Sequence, residues 1–206
     1  EPHQDTVYVS ATNIEHCLSG FEKTHSIKLQ TPDSPVLNNI WLGGKTRIAA
    51  HYDFAQNLAV CALGQRQFTL FPPDQGQHLY TGPIDKAPGG QAISMVDFHQ
   101  PDFKRFPLFK KALNHGLTVT LNAGDALIIP SMWWHHVEAL SPLNVLVTHW
   151  WRSSNAQLGN PFNALQHAIL AIRSLPAEQR QAWHAEFERY VYNWQAKDLD
   201  LLSIHA

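Results

Sequence analysis

Three residues of the chain have the types and the spacing of metal ligands. His51 and Asp53 lie two positions apart in AAHYD (49–53), so on a strand their side chains would project from the same face. Aspartate is disfavoured in strands, so Asp53 needs a reason to be there. Such a pair is the start of a metal chelate, and from this tripeptide alone the alternative is a surface pair at the end of an edge strand.

A third ligand candidate lies in PSMWWHHVEA (130–139). Strand alternation places His135 on the more apolar face, pointing inward, and His136 on the opposite face. Taken alone, His135 also fits a hydrogen-bonded core histidine. Together, two histidines and one carboxylate leave half of an octahedral metal open, which is the ligand set of non-haem Fe(II) oxygenases. Zinc accepts the same ligands, so the ligand types leave the metal open.

Arg66 adds a buried positive charge to this set. In QRQFTLF (65–71), alternation places Arg66 on the apolar face with Phe68 and Leu70. An inward arginine is costly unless it meets an anion, and its planar fork suits a carboxylate. A divalent metal, Asp53 and Arg66 sum to a charge of +2, so the pocket suits a dianion such as 2-oxoglutarate. The alternative is an arginine that pairs with a local aspartate or reaches water.

Short β-branched or aromatic segments separated by glycine and proline must position these residues. They predict strands over 36–42, 47–53, 58–63, 66–71, 117–121, 126–129, 133–140 and 144–151. About eight short antiparallel strands indicate a mainly β double-sheet jelly roll. Residues 72–116 form a long irregular insertion, which we expect to be functional. Its histidines, His78, His99 and His115, are interpreted as solvated loop residues.

The pattern becomes helical after residue 152. Apolar residues recur at helical spacing over 161–175 and 176–194, with Pro161 and Pro176 in first turns. We therefore expect a β domain over 1–152 and a helical pair over 153–206. The apolar stripe of these helices is rich in aromatic residues and must be buried, against the β domain or against a second copy of the chain.

Composition excludes several classes of protein. The chain has 206 residues, 16% of them charged, and a formal charge of −2, so it lacks the broad basic surface of a nucleic-acid-binding protein. No apolar run approaches the roughly 20 residues of a membrane span, and no signal peptide is visible. Two cysteines fit a reducing, cytoplasmic environment. Because the chain begins at Glu1 instead of methionine, we expect it to be a fragment or a processed product.

Several segments of the chain resemble one family. They are FTLFPPDQ (68–75), ISMVDF (93–98), PDFKRFP (101–107), GDALIIPSMWWHHVEAL (124–140) and HWWR (149–152). The chain resembles the cupin-like JmjC oxygenases, and within them the factor-inhibiting-HIF type of protein hydroxylase and its bacterial relatives. The resemblance implies a double-stranded β-helix and a dioxygenase that uses Fe(II), 2-oxoglutarate and O2. It also implies hydroxylation of a protein side chain, with succinate and CO2 as co-products, and a homodimer formed by the C-terminal helices.

The resemblance also implies site residues. His51, Asp53 and His135 would hold the iron. Arg66 and Tyr8 would bind the distal carboxylate of 2-oxoglutarate, and Asn57 and Thr148 match two further cosubstrate positions.

The chain departs from the family pattern at some of these positions. Relatives often have threonine where this chain has Ile48 and asparagine where it has Thr148, and the animal enzyme has lysine at the position of Arg66. Two other functions stay open: a zinc or manganese isomerase or hydrolase without 2-oxoglutarate, and a non-catalytic metal-binding module. Arg66 discriminates between the dioxygenase and the isomerase or hydrolase, because the latter function provides no anionic partner for this arginine. A small-molecule substrate also stays open.

Overall fold

Nine strands in the described part of the chain form two antiparallel sheets. The computed structural model describes residues 7–29, 31, 35–84, 92–153 and 158–195. The strands are β1 (Tyr8–Asn13), β2 (Leu37–Gly43), β3 (Arg47–His51), β4 (Gln56–Leu63), β5 (Gln65–Phe71), β6 (Leu117–Asn122), β7 (Ala126–Ile129), β8 (Trp134–Ala139) and β9 (Asn144–Trp151). One sheet has the order β1-β2-β9-β4-β7 and the other the order β3-β8-β5-β6. The predicted jelly roll is confirmed.

The main core lies between the two sheets, because strands of both contribute to it. Alternate residues of each strand point inward, as in β5, where Arg66, Phe68 and Leu70 are buried while Gln67 and Thr69 are half-exposed. The buried members of this core are Ala59, Cys61, Phe68, Leu70, Leu121, Ile129, Val137 and Leu146. This alternation decides which polar residues enter the interior of the domain.

The insertion covers the outer face of the four-stranded sheet. It contains a 3₁₀ turn (Pro73–Gln75) and a short helix, α3 (Phe109–Leu113), among irregular segments. Its buried residues Leu79, Val96, Phe109 and Ala112 pack against Ala50, Phe71 and Trp134 of the sheet. The sequence predicts a functional loop, and the structure shows a second apolar core. His136, on the outer face, is therefore buried.

The N-terminal segment covers the outer face of the five-stranded sheet. β1, which the sequence analysis missed, pairs with β2, and two short helices follow it, α1 (Ile14–Cys17) and α2 (Phe21–His25). The Asn13 side chain caps α1 by accepting a hydrogen bond from the His16 N–H at 3.0 Å. Ile14 is buried against Ile40 and Val147 of the sheet. This packing positions β1, and with it Tyr8.

The chain divides into two compact units, Glu1–Ala156 and Gln157–Ala206. The second contains α4 (Pro161–Ile172), α5 (Ala177–Phe187) and a π-helical turn, Glu188–Tyr192. Pro161 occupies the first turn of α4, where Asn160 caps the helix by accepting a hydrogen bond from the Phe162 N–H at 3.0 Å. The predicted helix over 176–194 is wrong in detail, since its last part is π-helical. None of the described helices is long and apolar enough to cross a bilayer.

Gly64 turns the chain from β4 in one sheet into β5 in the other. Its φ is +80°, and a Cβ there would lie 2.5 Å from the Leu143 carbonyl oxygen and 2.6 Å from Asn144 Oδ1. Asn144 is fully buried and its Oδ1 accepts a hydrogen bond from the Gln65 N–H at 3.2 Å. This corner fixes the start of β5 and therefore the position of Arg66.

Replacing Gly64 with alanine is expected to lower the free energy of unfolding by about 1–3 kcal/mol, because backbone strain and the clash with Asn144 add. Chemical denaturation measures the loss. Gly124→Ala is the matched control, since Gly124 has a φ of +97° but a Cβ there meets nothing within 4 Å. Equal losses in the two variants would show that the Asn144 contact contributes nothing.

Candidate metal centre

Two histidines face each other across neighbouring strands on the inner face of the four-stranded sheet. His51 ends β3, and His135 lies opposite it on β8. Both side chains are buried, and their ring centroids are 4.3 Å apart. The Asp53 Oδ2 atom lies 3.5 Å from His135 Nε2, and the ligand atoms of the three residues all lie within 4.8 Å of one another. The structure thus brings the three predicted ligands together.

A β-bulge turns His51 inward. Ile48 pairs with Val137 and His51 with His135, so three residue steps on β3 match two on β8. Strict alternation would place Ile48 and His51 on opposite faces, whereas the extra residue brings both to the interior. The intervening Ala50 packs in the outer core. Strand patterning alone does not reveal this bulge.

Asp53 lies beyond the end of β3, so the predicted strand over 47–53 is wrong at its last two residues. The loop that carries Asp53 is held by the turn that precedes β8. The Met132 N–H donates to the Asp53 carbonyl at 2.8 Å, and the Ser131 hydroxyl donates to the Phe54 carbonyl at 2.7 Å. The segment that leads to His135 therefore also fixes Asp53.

Backbone carbonyls set the tautomers of the two histidines. His51 Nδ1 lies 2.8 Å from the Ala49 carbonyl oxygen, and His135 Nδ1 lies 3.0 Å from that of Trp133. A carbonyl oxygen only accepts, so each Nδ1 carries the proton and donates it. Each Nε2 is then the ring nitrogen directed into the cluster, and His135 Nε2 lies 3.5 Å from Asp53 Oδ2. Such carbonyl contacts orient metal-binding histidines and leave Nε2 as the atom that would bind the metal.

The titration behaviour of the site agrees with this donor set. Burial, helped by the neighbouring His135, lowers the pKa of His51 to about 4, so its imidazole is neutral at pH 7. Burial alone would raise the pKa of Asp53. The hydrogen bond and charge of His135, with the charge of His51, outweigh this effect and hold the pKa of Asp53 below its ordinary value. Neutral imidazoles and an ionised carboxylate are the forms that bind metals.

Arg66 is buried without an acidic partner among the described residues. Only 2% of it is exposed, and its Nε and Nη2 atoms have no hydrogen-bond partner there. Tyr8 lies beside it: burial raises the pKa of Tyr8, while the charge of Arg66 and a hydrogen bond to it act in the opposite direction. A buried guanidinium with unused N–H groups is a site for an anion.

Strand register relates Arg66 to the metal ligands. Leu70 of β5 lies opposite His135 of β8, and Arg66 lies opposite Ala139, so both side chains belong to the inner face. His135 and Ala139 are four residues apart, which is about 13 Å along a strand. The long side chain of Arg66 and a short dicarboxylate bound at the metal would together span this separation.

Asn57 and Thr148 lie on the five-stranded sheet at inward-facing positions of β4 and β9. Asn57 Oδ1 is buried without a hydrogen-bond partner in the described chain, whereas the Thr148 hydroxyl accepts a hydrogen bond from Trp41 Nε1 at 2.9 Å. Trp150 Nε1, opposite Asn57 in register, is also buried without a partner. Sequence analysis assigned no role to Trp41 or Trp150, although their strand positions place their indole N–H groups in the interior.

The two-sheet fold and its buried His-Asp-His cluster define a cupin-type domain. The chain belongs to the cupin-like domain family, whose model matches residues 1–157. The resemblance to cupin-like JmjC proteins is thereby confirmed.

Curated proteins match part of the chain, and some of them carry JMJ or JmjC in their names. The chain is 34% identical to human HSPB1-associated protein 1 over 150 residues, 71% of this chain and 30% of that protein. It is 34% identical to the lysine-specific demethylase JMJ31 of Arabidopsis thaliana over 134 residues, 61% of this chain and 24% of that one. It is 38% identical to JmjC domain-containing protein D of Dictyostelium discoideum over 104 residues, 50% and 22% of the two chains. The match covers less than a third of each of these relatives.

Proposed function

We propose that the protein is an Fe(II)- and 2-oxoglutarate-dependent dioxygenase that hydroxylates a substrate, with succinate and CO2 as co-products. The observation that carries the proposal is the pairing of two features on one inner face. One is the His51, Asp53 and His135 cluster, and the other is the buried Arg66 guanidinium, two of whose donor atoms have no partner among the described residues. A metal at the first and a dicarboxylate that extends to the second satisfy all of these groups.

Each residue has a role that follows from its position. His51 and His135 would hold the metal through Nε2, since their Nδ1 atoms donate to carbonyls, and Asp53 would supply the charged oxygen. Iron bound there would supply O2 activation coupled to the decarboxylation of 2-oxoglutarate. Arg66 would bind the distal carboxylate, with Tyr8 beside it. Asn57, with its free Oδ1, and Thr148 would border the cosubstrate, and the buried surroundings exclude water.

A protein side chain is the proposed substrate class. One relative is named as a lysine-specific demethylase, and another is named for its association with HSPB1. These names support a protein or peptide substrate.

The test of the proposed function is succinate formation, followed by NMR, from 2-oxoglutarate in the presence of O2 and Fe(II). We expect slow turnover without substrate, acceleration by a peptide that is hydroxylated, and loss of both in Asp53→Ala. Turnover that needs zinc or manganese, and consumes no 2-oxoglutarate, would contradict the proposal and support the isomerase or hydrolase alternative. Metal binding without any 2-oxoglutarate binding would support the non-catalytic module.

We also propose that the C-terminal helices form a homodimer. Within the part of the chain that the structure describes, α4, α5 and the π-helical turn contain no buried residue. Their large apolar side chains are exposed, among them Leu170 at 82% and Tyr192 at 69%. A second copy of the chain would cover these side chains.

Light scattering on the eluting protein is expected to give twice the chain mass of 23.3 kDa. Leu170→Asp should shift the species to monomer at micromolar concentration, because it places a charge in the buried apolar contact. Asn163→Asp is the control, since it adds the same charge at an exposed polar position of α4. A wild-type protein at monomer mass would contradict the dimer.

A further inference from the structure

A second cluster of metal-ligating side chains lies on the reverse face of β8. It consists of His99 from the insertion and His136 and Glu138 from the strand, and their ligand atoms all lie within 4.8 Å of one another. His99 Nε2 is 2.6 Å from Glu138 Oε2, and His136 Nε2 is 3.3 Å from Glu138 Oε1. His135, between the two strand members, points to the opposite face, so this cluster is separate from the candidate iron centre.

His136 is the residue that makes the cluster more than a surface ion pair. Only 6% of His136 is exposed to solvent. Neither of its ring nitrogens makes a well-formed hydrogen bond within the described chain. The Phe98 ring lies over it, with centroids 4.6 Å apart. A buried imidazole without a well-formed hydrogen bond costs free energy. The 2.6 Å contact between His99 and Glu138 does not supply His136 with a well-formed hydrogen bond.

The geometry fits a transition metal. Two ligand atoms bound tetrahedrally at about 2.1 Å from zinc are about 3.4 Å apart, which matches the 3.3 Å separation of His136 and Glu138. The 2.6 Å contact between His99 and Glu138 would have to lengthen for both to bind one ion. A hydrogen bond within the insertion fixes the backbone at His99, since the Asp97 carboxylate accepts from the His99 backbone N–H at 2.9 Å. A site with two imidazoles and one carboxylate favours zinc over calcium or magnesium.

We propose that His99, His136 and Glu138 form a structural zinc site that fastens the insertion to the outer face of the four-stranded sheet. The ion links a loop residue to two strand residues, and it gives the buried His136 a partner. It also holds β8, the strand that carries His135 on its other face. Such a site has a structural role that the candidate iron centre does not supply.

Zinc stoichiometry and affinity test this proposal in a background that lacks the first centre, His51→Ala/Asp53→Ala. After dialysis against zinc, elemental analysis is expected to find one equivalent per chain in this background. Adding His99→Ala should weaken zinc binding more than about 100-fold, since loss of even a hydrogen-bond partner of a ligand costs 10–100-fold. His115→Ala is the matched control, because His115 is an exposed histidine of the same insertion outside the cluster, and it should keep the ion.

A second measurement uses the wild-type chain and so does not depend on the background folding. Cobalt(II) titration should show two binding phases by absorption, and His99→Ala should remove one while leaving the other unchanged. A His99→Ala titration that keeps every phase of the wild type would overturn the proposal. Because the two sites are read separately, failure here leaves the proposed dioxygenase function untouched.

Discussion

Replacing Arg66 with alanine should raise the concentration of 2-oxoglutarate needed for half-saturation about 100-fold or more. Removing one partner of a buried, hydrogen-bonded charge pair costs about 2–5 kcal/mol, and each 1.4 kcal/mol is a factor of about ten. Two donor atoms of Arg66 have no hydrogen-bond partner in the part of the chain that the structure describes, so the distal carboxylate would be its main partner. Initial rates of succinate formation at increasing 2-oxoglutarate measure the effect.

Stability supplies a second readout for the same variant. A ligand that binds only the folded state stabilises it more as the ratio of its concentration to its Kd rises. At one concentration, 2-oxoglutarate should therefore raise the melting temperature of the wild type and not that of Arg66→Ala. Arg66→Lys should give an intermediate result, because lysine keeps the charge but loses the planar fork. Gln67→Ala, at the next position of β5 but on the outer face, is the control. If Arg66→Ala reached half-saturation at the same 2-oxoglutarate concentration as the wild type, Arg66 would not bind the distal carboxylate.

Replacing Asp53 with alanine should weaken Fe(II) binding by at least about 100-fold and abolish turnover. Loss of a residue that merely orients a metal ligand costs 10–100-fold, and Asp53 would be a ligand itself, the only charged one of the three. Anaerobic equilibrium dialysis against Fe(II) measures the affinity, and circular dichroism checks the fold.

Asp74→Ala is the matched control for this change, since Asp74 is an exposed aspartate in the turn after β5. It should bind Fe(II) like the wild type. If Asp53→Ala kept the Fe(II) affinity of the wild type, His51 and His135 would need another partner, and the assignment of this cluster as the metal centre would be wrong.

Period-two patterning was sufficient to predict most of the β domain. Segments such as QRQFTLF alternate between inward apolar and outward polar residues, and this alternation placed Arg66 inside and Gln67 outside, as the structure has them. It missed β1, an edge strand whose YVSATN sequence is half exposed, has no buried residue and shows no clear alternation. Tyr8 was therefore linked to Arg66 only through the family resemblance.

The sequence pattern did not predict the backbone conformation that positions His51 and Asp53. The bulge between Ile48 and His51 breaks the alternation that the analysis assumed, and Asp53 belongs to a loop held by hydrogen bonds from residues 131 and 132. These are long-range contacts, which a local pattern does not contain. Similarly, His99 was interpreted as a solvated loop residue, because only the folded insertion brings it to Glu138.

The central claim, one site that binds both Fe(II) and 2-oxoglutarate, is tested most directly by anaerobic absorption spectroscopy. Fe(II) is added first, then 2-oxoglutarate, and the charge-transfer band of the chelated metal is followed. We predict a band for the wild type, no band for Asp53→Ala, and for Arg66→Ala a band only at much higher 2-oxoglutarate. No band in a wild-type sample that dialysis shows to hold Fe(II) would contradict the account.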